Sequence, residues 1–205
     1  MDEKDRATFI NRIEDFRFKV KDRAYENLIV IKNNGRIVGR MFTEQKPLSV
    51  KPTKKMKKVA ESGKVLLSGH NHAISQSPLV SVEDVKLMLE DLKSKYGVAT
   101  TNGNGIGVIR NGRINRTEKE INAIKNDLDK YSDKMWDDFH KRKGDFLKVK
   151  KEELYNTIND SKEYKKQNSL LIKREFAKFK LENADEYAKK LNDVLVPYDM
   201  KFKII

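Results

Sequence analysis

From residue 114 to its end the chain holds one glycine, Gly144, and one proline, Pro197. Turns and chain reversals draw on those two residue types, so a segment this long that nearly lacks them is confined mostly to helix. The apolar pattern agrees. Thr117-Glu-Lys-Glu120 reads as a capping box, and Ile121, Ile124, Leu128, Tyr131 and Met135 follow at alternating spacings of three and four. A second seam runs through Leu170, Ala177, Leu181, Ala184, Ala188, Leu191 and Leu195, with Arg174 interrupting it. Two such seams predict an antiparallel helical pair or an arm over residues 117–196, with homo-oligomerisation or docking to an assembly partner as its use. The terminal Met200–Ile205 alternates as an edge strand does.

The chain before residue 114 is of another kind. Phe9, Ile13, Phe16 and Val20 recur at helical spacing, which predicts an N-terminal helix within residues 1–22. Leu28–Lys32 and Arg36–Phe42 read as strands around Asn33-Asn34-Gly35, a hairpin signal. Pro52 opens a short helix that ends at Gly63. Val65–Ser68 is a buried-type strand. Ser81-Val-Glu-Asp84 begins a helix whose apolar face is Val85, Met88, Leu89 and Leu92. Val98–Thr101 and Ile106–Ile109 are short strands. The pattern predicts an α+β chain in three parts: the helix at 1–22, a mixed sheet flanked by helices at 23–113, and a helical extension at 114–205.

The net charge of +13 is concentrated in the first part of the chain, with a cluster at Lys51, Lys54, Lys55, Lys57 and Lys58. That cluster is a candidate contact for nucleic acid, although no aromatic residue is interleaved with it. No cysteine is present, so disulfides and thiolate metal sites are excluded. No apolar run approaches the ~20 residues that span a bilayer, and the N-terminus is charged. A cytoplasmic protein without a membrane partner is expected.

Two of the three histidines, His70 and His72, stand one residue apart at the end of a strand. Residues i and i+2 of a strand share a face, so both imidazoles converge. Asp84 lies in the first turn of the next helix, within reach of the strand end. Two imidazoles and a carboxylate leave a fourth position open, the pattern of a catalytic zinc site rather than a closed structural one. The third histidine, His140, has no partner in the sequence and reads as a surface residue.

These residues resemble the JAB/MPN (JAMM) metalloprotease family, whose motif is a distant Glu, then His-x-His-Pro, six residues, and Ser-x-x-Asp. This chain has Glu26, His70-Asn-His72-Ala73, seven residues, and Ser81-Val-Glu-Asp84. The Asn between the histidines is similar to the RadC-like branch and to JAB domains of phage and toxin-type proteins. The likeness covers residues 24–113. Ala73 stands where the family has Pro, and the loop before Ser81 is one residue longer.

The resemblance implies a JAB/MPN-like (cytidine-deaminase-like) mixed sheet and a Zn2+ ion held by His70, His72 and Asp84. It also implies Glu26 as the base for a metal-activated water, with Ser81 stabilising the oxyanion. The substrate would be a protein or peptide, cut at a peptide or isopeptide bond. Glu44 is the second choice of base. The competing expectation keeps the fold with a weak or silent site, as an interaction module in phage or mobile-element assembly. Such a protein would be virion-associated and would work through its arm or its basic face.

Overall fold

The computed structural model describes residues 3–20, 25–38, 43, 51–72, 79–101 and 105–205. Glu44, Ala73, Pro47, Pro78, residues 102–104 and the far half of the expected second hairpin strand lie outside them. The elements are α1 (Glu3–Val20), β1 (Leu28–Lys32), α2 (Lys54–Glu61), β2 (Val65–Asn71), α3 (Val82–Lys86), β3 (Tyr96–Thr100), β4 (Ile106–Asn111), α4 (Glu118–Thr157), α5 (Ser161–Glu182), α6 (Ala184–Leu195) and β5 (Met200–Ile204). A π-helical stretch, Leu87–Asp91, continues α3. The chain is α+β, as expected, with one mixed five-stranded sheet and a long C-terminal helical region.

The strands lie in sequence order, β1-β2-β3-β4-β5. All neighbours are antiparallel except β2 and β3. A parallel pair needs a crossover, and here it runs through α3. The C-terminal end of β2 and the N-terminus of α3 therefore meet at the carboxyl end of the parallel strand pair, where open α/β sheets carry their ligands. The expected hairpin after β1 forms through Gly35 at φ 76°, with Val38 N donating to Val30 O at 2.8 Å.

Strand alternation divides the sheet into two faces. Ile29, Ile31, Leu67, Tyr96, Val98 and Ile106 pack against Phe9, Ile13, Phe16 and Val20 of α1. On the other face Leu28 and Val30 meet Met56 and Ala60 of α2, while Ala99, Ile109, Met200 and Phe202 meet α3 and the C-terminal helices. Gly97 lets the segment after α3 sit close on this face: a Cβ there would come within 2.8 Å of Met88 Sδ.

Residues 114–205 share that core. α4 buries Ile124, Leu128, Tyr131 and Met135 of the expected seam, together with Phe139 and Leu147. α5 turns back along α4 after Asp160, whose carboxylate caps it through Glu163 N at 2.6 Å. β5 then pairs with β4 from Gly107↔Ile204 to Asn111↔Met200. The second seam differs from its expected course. It breaks at Asn183, whose side chain donates to Phe179 O at 2.8 Å and accepts from Arg142 at 3.1 Å. Phe179, Tyr187, Leu191 and Leu195 are buried, while Leu170 and Ala177 are not fully so. The cause is a cluster of rings. Phe139 lies 5.1 Å from Phe176 and 5.5 Å from Phe179, and Tyr187 lies 5.7 Å from Phe179. Aromatic side chains bury more area than leucine or alanine and so take the inner side of the helix.

Candidate metal centre

His70 and His72 extend β2 on the face opposite α1. Asp84 reaches them from the first turn of α3. The three side chains converge: His70 Nε2 is 3.0 Å from His72 Nε2 and 2.9 Å from Asp84 Oδ1, and His72 Nε2 is 3.3 Å from Asp84 Oδ2. Tetrahedral bonds of ~2.0–2.1 Å place neighbouring ligand atoms ~3.3 Å apart. The separations of His70 Nε2 from His72 Nε2 and from Asp84 Oδ1 approach that value, one ligand atom from each of the three residues lies within 4.8 Å of the others, and the group could hold a metal ion.

The local sequence makes Asp84 both a helix cap and a candidate ligand. Ser81 Oγ accepts from Asp84 N at 3.2 Å, and Asp84 Oδ2 accepts from Ser81 N at 2.5 Å. This reciprocal box is the one read from the sequence, and it fixes the carboxylate against the helix N-terminus. Ser81 is exposed at the mouth of the site.

Glu26 precedes β1. Leu28 is the cross-strand partner of His70, so Glu26 falls on the same face, opposite His72. It is partly buried and lines a cavity of about 600 Å³ together with the two histidines, Ser81 and Asp84. The pairing of β1 with β2 therefore brings the expected base beside the expected ligands.

The electrostatics follow from burial. Burial pushes the Glu26 carboxyl above its ordinary value, the two histidines oppose that, and Asp84 adds to it. Burial alone would lower the His70 pKa. The charge and hydrogen bond of Asp84, with Glu26 behind them, outweigh it and leave His70 raised. Burial would raise Asp84, but the contacts with His70 and His72 hold it well below the usual carboxylate range.

Two features were not recognised in the sequence. The first is Asn71. By alternation it faces away from the metal group, and it is fully buried. Its Oδ1 accepts from Asn27 N at 2.7 Å and from Asn27 Nδ2 at 3.1 Å, and its Nδ2 donates to Tyr25 O at 3.2 Å. Asn71 thus clamps the segment that carries Glu26. An asparagine flanked by two histidines that share one face of a strand was the available signal, since it must turn to the other face.

The second is Lys180 of α5, which lines the same cavity. Burial lowers its pKa, with Asp84 acting in the opposite sense. No local signal could have found it, because its place depends on α5 folding back over the sheet.

Of the lysine cluster, Lys54, Lys55 and Lys58 are exposed on or beside α2, Lys57 pairs with Asp91 at 2.5 Å, and Lys51 and Lys57 reach the cavity rim. His140 is partly buried, with its ring 4.7 Å from that of Trp136. It takes no part in the metal group. None of the described helices is long and apolar enough to cross a membrane. A scan against family models, a search of curated proteins and a search of solved structures each found no match to this chain.

Proposed function

We propose that this chain is a zinc-dependent hydrolase of peptide or isopeptide bonds with a JAB/MPN-type centre. One observation carries the reading: two imidazoles and a carboxylate converge with one ligand atom each within 4.8 Å of the others, and a second carboxylate, of raised pKa, lines the same cavity. Zinc suits this donor set, which leaves a fourth position free. When bound, the ion supplies a water acidified into the neutral range.

The chain's own residues do the rest. His70, His72 and Asp84 hold the ion. Glu26 takes the proton of the attacking water as its oxygen bonds to the carbonyl carbon. It then delivers that proton to the amine as the C–N bond breaks. A carboxylate with a raised pKa is suited to both halves of that transfer. Ser81 Oγ already accepts a hydrogen bond from Asp84 N, which leaves its own hydrogen to point at the developing oxyanion.

The test is metal analysis of the purified protein followed by the Glu26→Gln variant. Wild type and variant are expected to carry one zinc per chain. Hydrolysis of a panel of peptides and isopeptide-linked conjugates should fall by ~10²–10⁴-fold in the variant. A protein that retains no zinc, or a variant with undiminished hydrolysis, overturns the proposal.

A second reading is favoured by the exposed Phe146, Val149 and Tyr155 on the far part of α4. Apolar side chains there suit an interaction module, in which the site is silent and the arm binds a partner or a second copy. Zinc binding with no hydrolysis, together with self-association lost on mutating these three residues, would favour it.

A further inference from the structure

Among the described residues, four lysines line the cavity beside the metal group, and they are not alike. Lys57 is paired with Asp91 at 2.5 Å, and Lys86 with Glu83 at 2.6 Å. Glu90, a further carboxylate of the lining, is taken by Lys125 of α4 at 2.9 Å. Lys51 stands at the rim and is exposed, so water satisfies its ammonium. Lys180 is partly buried, and no carboxylate among the described residues lies within ion-pair distance of it. Its Nζ lies over the Phe176 ring, 5.2 Å from the centroid. That contact orients the ammonium without neutralising it.

Asp84 is not the missing partner. Its two oxygens are already occupied by His70, His72 and Ser81 N. A partly desolvated ammonium without a counter-ion is costly, and a structural lysine would not be aimed into a cavity that already receives a divalent cation. Ion, Asp84 and Lys180 together would leave an excess of positive charge, only part of which Glu26 offsets. An anion would balance that charge.

We infer that Lys180 is the anion subsite of this centre, and that it binds a substrate carboxylate close to the bond to be cut. The inference rests on the hydrolase reading above. It makes the C-terminal helices part of the substrate site, because α5 supplies the ammonium. A carboxylate could come from an acidic side chain on the acyl side of the bond, or from the end of the chain on the leaving side. Both present the same group to Nζ.

The test measures affinity rather than turnover. The zinc-loaded full-length protein is titrated with two pairs of hydroxamates, which chelate the ion through the same group. The first pair is N-acetyl-aspartyl hydroxamate and its asparaginyl analogue. The second is malonyl-glycine hydroxamate and its glycinamide. In one pair the carboxylate member should bind roughly 10-fold to 100-fold more tightly, as expected for a charge-assisted hydrogen bond. Which pair shows the preference identifies the source of the carboxylate. Lys180→Met should abolish the preference while leaving zinc content and affinity for the neutral member unchanged. Lys180→Arg should keep most of it.

Equal binding within both wild-type pairs overturns the inference and leaves the metal centre standing. So does a preference that survives in Lys180→Met. Failure to hold zinc or either hydroxamate removes the hydrolase reading, and the inference with it.

Discussion

The root and the tip of the helical hairpin are made from nearly the same kind of sequence and do different things. At the root, α4 buries Ile124, Leu128, Tyr131, Met135 and Phe139 against the sheet, α6 and the end of α5. Beyond Leu147 it buries nothing more, and α5 buries only Glu175 and Phe179. At the tip the helices meet through surface contacts such as the edge-on rings of Tyr155 and Tyr164 at 5.7 Å. Helix propensity and periodicity are therefore enough to make a helix, but not to say what it is for. The root is core and wall of the candidate site. The tip is a surface.

The sharpest way to break this comparison is to empty the root. Phe179→Ala should destabilise the protein by about 3–5 kcal/mol, since it removes a fully buried ring from an aromatic cluster. Chemical denaturation measures this. A loss of ~1 kcal/mol or less would mean that root and tip are not distinct.

Next comes the clamp beneath the site. Asn71→Ala should cost about 1–3 kcal/mol, because it leaves the buried Asn27 N–H without its acceptor, while Tyr25 O keeps its bond from Asn27 Nδ2. The variant should still bind zinc while hydrolysis falls, because the clamp acts on the segment carrying Glu26 and not on the ligands. Zinc affinity that drops with the activity would place Asn71 in the ligand geometry instead.

Smaller again is the effect of pH on the metal-free protein. His70 has a raised folded pKa, so its contribution to stability is fully present below about 6.5 and is lost as pH rises through the higher folded value. Asp84 has a depressed one, so its contribution is present above about 3.8 and is lost as pH falls through the lower value. The thermal midpoint should therefore decline on the alkaline side of 6.5, while zinc affinity rises over the same range as His70 gives up its proton. Calorimetry with and without zinc tests both. Parallel pH profiles for the two forms would show that His70 is not a ligand.

The smallest effect is expected at the tip. Val149→Ala should change stability by no more than about 0.5 kcal/mol, because the side chain is more than half exposed. A larger loss, measured by thermal unfolding at two protein concentrations, would reveal a partner surface if it depends on concentration.

The convergence of the candidate ligands was legible because the sequence keeps them nearly local. His70 and His72 are two apart on a strand, and the same Ser81–Asp84 box that starts α3 also points Asp84 at them. Glu26 is distant in sequence, but strand pairing from Leu28↔His70 carries it to the site in one step. The first seam was legible for the same reason, since periodicity along one helix is a local property. The second was misread where aromatic rings from two helices compete for one space, as at Phe139, Phe176 and Phe179, because periodicity ranks residues within a helix and not between helices.

What the sequence determined by itself is thus a set of short-range rules: alternation, capping, helical period and the poverty of glycine after residue 114. Tertiary structure decided what lies across from what. It closed the sheet with β5, turned Asn71 inward beneath Glu26, and brought Lys180 from α5 to a cavity built around residues 26–91. Those placements depend on contacts between residues more than 40 positions apart, where backbone chemistry sets no preference and packing of the whole chain selects the neighbour.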